Sequence, residues 1–212
     1  MAGLVLAGIT PAKERVSFPT EDGGLIYADL YGKADRAIVL AHGARFNKDS
    51  WAKQIPPLEE AGFRVLAIDF RGYGESRAGA QSGGGYGDLY LDVLAAVRYL
   101  HHAGAKSVSV MGGSMGGGAA EQAAEHAKPG EIDRLVLLAP AWVEHPEKLS
   151  GRKLFITSRG DSRAAKIQEE YQKVPEPKKL LLLDGSAHAQ FLFETEHGPR
   201  LMEDILRFLS EP

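Results

Sequence analysis

The sequence predicts an open, mostly parallel α/β sheet with helices on both faces and an antiparallel N-terminal edge. Three observations lead there. Apolar runs of strand length recur along the chain, segments of helical period separate them, and two alternating segments precede the first continuous run.

The two alternating segments are residues 15–18 and 25–31. Asp22-Gly23-Gly24 between them favours a tight reversal, so they read as a hairpin. The apolar runs follow at residues 37–41 (AIVLA), 64–70 (RVLAIDF), 107–111 (SVSVM), 134–139 (RLVLLA), 153–158 (KLFITS) and 179–183 (KLLLL). Runs of this kind fit strands covered on both faces, as in a parallel sheet. Gly, Asp or Pro follows each within two residues, as chain reversal at the carboxyl end requires. Residues 48–61 predict a helix kinked or divided at Pro56-Pro57. Residues 89–102 predict a second, with Asp88 as N-cap and Gly104 as stop; Tyr90, Val93, Leu94, Val97 and Leu100 share one face. Residues 162–173 and 199–209 complete the set, the last with Leu201, Ile205 and Leu209 one turn apart. Residues 78–87 are rich in Gly and Ser and read as a mobile surface loop.

The 212 residues predict one domain spanning 1–212, with the ordinary globular mix of 44% hydrophobic and 25% charged residues. A net charge of -3 does not attract phosphate backbones, so no nucleic-acid partner is expected. The absence of cysteine excludes disulfides, thiolate metal sites and cysteine nucleophiles. Residues 4–9 form an apolar run too short for a signal peptide and with no basic residue before it. No run has membrane-spanning length, so a cytoplasmic protein without a membrane partner is expected. No cofactor is expected either. No Cys/His/carboxylate cluster has metal spacing, no G-x-G-x-x-G opens a helix, and residues 114–118 lack a phosphate-loop lysine.

In an open α/β sheet, ligands bind at the carboxyl ends of the strands. There Gly112-Gly113-Ser114-Met115-Gly116 reads G-x-S-x-G, placed between the SVSVM strand and a small-residue helix start. A serine on so sharp a turn needs glycines where neighbouring segments pack closely. Ser114 is therefore the candidate nucleophile. The alternative is a Gly-rich helix start that only packs against the sheet. Asp161 ends the loop after the KLFITS strand, where a carboxylate can orient a histidine; it can equally cap the following helix. Asp184 is its rival and better suits the Asp184-Gly185 turn, and Glu144 is a remoter option. Of the seven histidines only His188 lies in the loop after the last strand. His42 reads as a structural hydrogen-bonder, His101 and His102 as helix-end residues, and His126 and His197 as surface residues.

With these residues in place, the chain resembles the α/β-hydrolase superfamily, in its small, lidless, esterase-like form. The likeness covers residues 15–210. It rests on His42-Gly43, on residues 69–76 (DFRGYGES), on the elbow serine and on the chain order Ser114, Asp161, His188. It implies a serine mechanism on small esters, with Asp161 as the acid that orients His188. Thioesterase, lactonase and peptidase activities, or a non-catalytic binding role, are the alternatives. The oxyanion hole would use the Met115 N–H and a second donor after His42-Gly43, with Ala44 first and Arg45 second. This loop departs from the HGGG pattern, which leaves the second donor open. Residues 69–76 read as structural, with Arg71 anchoring the turn. Phe46, Trp51, Trp142 and Phe191 line a pocket or simply pack. Residues 140–152, where the fold usually inserts a lid, hold at most a turn and a short helix. An open cleft and short acyl groups of roughly two to six carbons are expected, because little apolar surface is left to bury a longer chain.

Overall fold

The computed structural model describes residues 13–211. The apolar run at residues 4–9 lies outside them. The strands are β1 (Lys13–Pro19), β2 (Leu25–Tyr31), β3 (Arg36–Ala41), β4 (Phe63–Ile68), β5 (Ser107–Gly113), β6 (Arg134–Leu138), β7 (Arg152–Ser158) and β8 (Lys178–Leu183). They form one sheet in the order β1-β2-β4-β3-β5-β6-β7-β8. The hairpin β1–β2 pairs antiparallel and adds to β4 antiparallel, while β3 to β8 run parallel.

The strand period of two splits each buried run between two cores. In β3, Ala37, Val39 and Ala41 face one side, packed on α2 (Leu89–His102) and α3 (Met115–His126). Ile38 and Leu40 face the other, packed on α1 (Ile55–Glu60) and α5 (Gly198–Ser210). α4 (Ala164–Lys173) joins the first side through Ile167. Both faces are thus covered, which is why the parallel strands show no polar alternation.

Three local expectations change in detail. Residues 48–61 divide before the prolines rather than at them. A 3-10 turn covers Lys48–Trp51, and α1 then carries Pro56 and Pro57 in its first turn, where a missing N–H costs nothing. Asp88 occupies the N-cap position of α2, but its carboxylate turns back to Ser82 Oγ (2.6 Å) and Gly84 N (3.1 Å). Trp51 is fully buried against α1 and β4 and lines no cleft. As expected, the connection between β6 and β7 holds only one 3-10 turn, Pro146–Lys148, and no cap domain. Among the described residues no helix is long and apolar enough to cross a membrane.

Candidate active site

Ser114 sits between the last residue of β5 and the first of α3 with φ 50° and ψ −113°, backbone that a side chain rarely adopts. Hydrogen bonds on both its peptide groups hold it there. Its N–H donates to Leu138 O (2.9 Å), and its carbonyl accepts from Gly118 N (3.0 Å) and Ala141 N (2.9 Å). The flanking glycines are sterically required. A Cβ on Gly112 would run into the Gly116 carbonyl, and one on Gly116 into the Ala41 carbonyl. The two other non-glycine residues at positive φ among those described are Ala139 and Ala189, also at the carboxyl edge of the sheet. Backbone strain of this kind concentrates at functional sites.

The sheet brings Ser114, His188 and Asp161 into one hydrogen-bonded chain. His188 Nε2 lies 2.8 Å from Ser114 Oγ, and His188 Nδ1 lies 2.6 Å from Asp161 Oδ2. A carboxylate only accepts, so Nδ1 carries the proton and Nε2 is left to accept from the serine. The Asp161 side chain is 1% exposed and that of His188 39% exposed. The carboxylate is therefore shielded from solvent while the imidazole is partly open to it. Asp161 does not cap the following helix: α4 starts at Ala164 with Arg163 at its N-cap, and the other Asp161 oxygen accepts Arg163 N–H at 2.8 Å in the turn before it. Asp184 points away, into an exposed ion pair with Arg159 at 3.2 Å. Glu144 is exposed and its backbone bonds Glu121. The loops bearing Asp161 and His188 are laced together by Arg159 N to Leu183 O, Gly160 N to Gly185 O and Ser158 Oγ to Ala187 O, each at 2.8 Å.

His42 is fully buried and bonds through Nδ1 to Gly43 O (2.9 Å) and through Nε2 to Phe70 N (3.3 Å). Burial holds its pKa below the usual value, so it stays a neutral structural group. The Gly43 carbonyl accepts from His42 and from Phe46 N (3.0 Å). That fixes the Gly43–Ala44 peptide, whose N–H must point the opposite way. The Ala44 carbonyl is held by Tyr73 Oη at 2.8 Å. Phe46 and Phe191 pair with ring centroids 5.1 Å apart, and Trp142 lies flat on Gly118, where a Cβ would meet its ring.

The sequence reading missed Gln190. It is 5% exposed and bridges three segments. Its Oε1 accepts Gly43 N–H at 3.3 Å, and its Nε2 donates to Ser50 Oγ at 3.1 Å. With the Gly43 N–H so occupied, Ala44 is the next donor along the loop. A Cβ on Gly43 or Gly113 would press on this glutamine, so two glycines read as turn residues also make room for it. Tyr73 was likewise missed, because no local pattern marks its reach to Ala44.

The family model for the alpha/beta hydrolase fold matches residues 36–194. The chain belongs to that family. It is 30% identical over 130 residues to the AB hydrolase superfamily protein YisY of Bacillus subtilis, covering 60% of this chain and 47% of that protein. It is 35% identical over 118 residues to a non-heme haloperoxidase of Rhodococcus erythropolis, covering 55% and 41%. A stretch of 42 residues is 57% identical to bifunctional epoxide hydrolase 2 of Sus scrofa, 20% of this chain and 8% of that one. The chain thus spans less than half the length of these curated relatives. Among solved structures, an esterase of Pyrococcus furiosus superposes with a TM-score of 0.80 at 20% identity, covering 97% of this chain and 95% of that one. An esterase of Exiguobacterium antarcticum gives 0.79 at 17% identity, covering 93% and 100%. At such identities these likenesses concern the fold.

Proposed function

We propose that the protein is a serine hydrolase that cleaves small carboxylic esters through an acyl-enzyme. The observation that carries this reading is the bonded chain from Ser114 Oγ through His188 to the buried Asp161 carboxylate. Ser114 Oγ attacks the ester carbonyl carbon as its proton passes to His188 Nε2. The oxyanion is held by the N–H groups of Met115 and Ala44; the first residues of α3 have no intrahelical partner for theirs. The intermediate collapses, and His188 returns the proton to the departing alkoxide. Water then attacks the acyl-enzyme with His188 again as base, releasing the acid and restoring Ser114. Throughout, Asp161 keeps the histidine in one tautomer and stabilises its charged form.

The test is labelling by a fluorophosphonate, with and without Ser114→Ala. Stoichiometric labelling and p-nitrophenyl butyrate hydrolysis are expected of the native protein. The variant should keep no label and at most the ~10³–10⁴-fold rate over water that binding and the oxyanion hole supply. Labelling that survived the substitution would sink the assignment.

A further inference from the structure

We propose that the acyl arm of the substrate lies in an apolar groove beside Met115, and that the protein selects acyl groups of roughly six to eight carbons, longer than the roughly two to six expected from the missing lid alone. This rests on the ester-hydrolase reading above. The groove has a volume of about 420 Å³, and Tyr73, Ala78, Gly84, Tyr86, Leu89 and Met115 form much of its wall. That volume lies in the lower part of the range of small-molecule sites. Two of its wall residues tie it to the reacting centre: Met115 directly follows the nucleophile, and Tyr73 Oη donates to the Ala44 carbonyl at 2.8 Å.

Which arm of the ester enters it follows from the position of the base. His188 protonates the leaving alkoxide, so the alcohol lies on the His188 side. Phe191 stands there, its N–H on the His188 carbonyl at 3.1 Å and its ring paired with Phe46. The groove takes its wall from the residues after β4 and from the starts of α2 and α3, none of it from the His188 loop. The acyl arm therefore points into it.

The segment 78–87, expected to be a mobile surface loop, lies on the surface and carries specific hydrogen bonds. The Arg71 guanidinium bonds Asp92 (2.7 Å), Asp22 (2.6 Å) and Ser82 Oγ (3.3 Å), and Ser82 and Gly84 bond Asp88. Arg77 pairs with the Leu25 backbone in both directions. From this anchored segment Tyr86 reaches Trp142, with ring centroids 5.9 Å apart. Trp142 packs on α3 from the other side of the elbow. The segment so reaches the start of α3 and walls one side of the groove, where no cap domain stands.

Each methylene buried there is worth about fourfold in kcat/KM. A p-nitrophenyl ester series from acetate to dodecanoate, on the full chain, tests the proposal. The maximum is expected at hexanoate or octanoate, at least about tenfold above acetate. Ala78 is exposed, so Ala78→Trp fills the groove from solvent without entering the core. It should lower the octanoate-to-acetate ratio about tenfold or more, and Tyr86→Ala, which removes one wall, should lower it in the same direction. A ratio unmoved by both variants, with Ser114 still labelled and acetate still hydrolysed, overturns the groove alone. No labelling and no turnover of any ester in the native protein overturns the hydrolase reading with it.

Discussion

Asp161 and Asp184 stand in adjacent loops of similar composition, yet their surroundings assign them opposite roles. Asp161 spends one oxygen on Arg163 N–H and the other on His188, both out of water. Asp184 shares a solvated ion pair with Arg159, an arrangement worth about 0–1 kcal/mol. An amide at position 161 would offer the histidine a donor where it needs an acceptor, and the ring would lose the tautomer that accepts from Ser114. Asp161→Asn should therefore cut kcat by on the order of 10⁴, by analogy with serine proteases. Asp184→Asn should leave kcat within about twofold. Steady-state kinetics on p-nitrophenyl butyrate, with circular dichroism to verify folding, checks both, and a larger loss at Asp184 would name the wrong carboxylate here.

At the scale of elements, α3 does more than present the serine. Glu121, on its buried face, is 0% exposed and accepts the backbone N–H of His145 at 3.4 Å. It thereby tethers the segment that carries Trp142. Its second oxygen is buried without a partner. Burial accordingly pushes its pKa up to about 7 from 4.5. Between those values the unfolded chain releases the proton while the folded one keeps it, so stability falls as pH rises through that window. Glu121→Gln abolishes the effect. The variant should match the native protein near pH 4.5 and exceed it above pH 7 by up to about 3 kcal/mol. Urea denaturation of both proteins across that range is the measurement, and parallel stability curves would refute the burial argument.

Across the whole molecule, Arg71 joins residues that lie far apart in the chain. Its guanidinium, 6% exposed, lies against Asp22 of the hairpin turn and Asp92 of α2, and it follows β4. Two carboxylates bond it, with Asp88 at 3.8 Å as a third neighbour, so acidic groups outnumber the cation. Beside Arg71 the Asp22 carboxyl is held below the ordinary range, whereas burial raises that of Asp92. Arg71→Leu leaves the fully buried Asp92 without its cation. Removing one partner of a buried pair costs about 3–5 kcal/mol, and the same change detaches segment 78–87 from the groove. Chemical denaturation at pH 7 should show a loss of that size. A loss below about 1 kcal/mol would mean that water replaces the guanidinium at little cost.

The sheet and the elbow were legible because their causes are local. A parallel strand buried on both faces must be apolar throughout, and the six runs announce themselves for that reason. The turn at Ser114 needs glycines at fixed offsets, so G-x-S-x-G follows from sterics within one segment. The order Ser114, Asp161, His188 and the absence of a cap between residues 140 and 152 are also properties of the chain alone. Other features depended on which strands become neighbours. The bridge from Gln190 to Gly43, the reach of Tyr73 to Ala44 and the burial of Trp51 all arise this way. So does the anchoring of segment 78–87, since a Gly/Ser-rich stretch gives no sign of an arginine waiting beside it. Hydrogen bonds between residues as far apart as Gly43 and Gln190 follow from strand order and register, which bring loops together at one edge of the sheet. Composition and periodicity describe what a segment can form; only the assembled sheet decides what it touches.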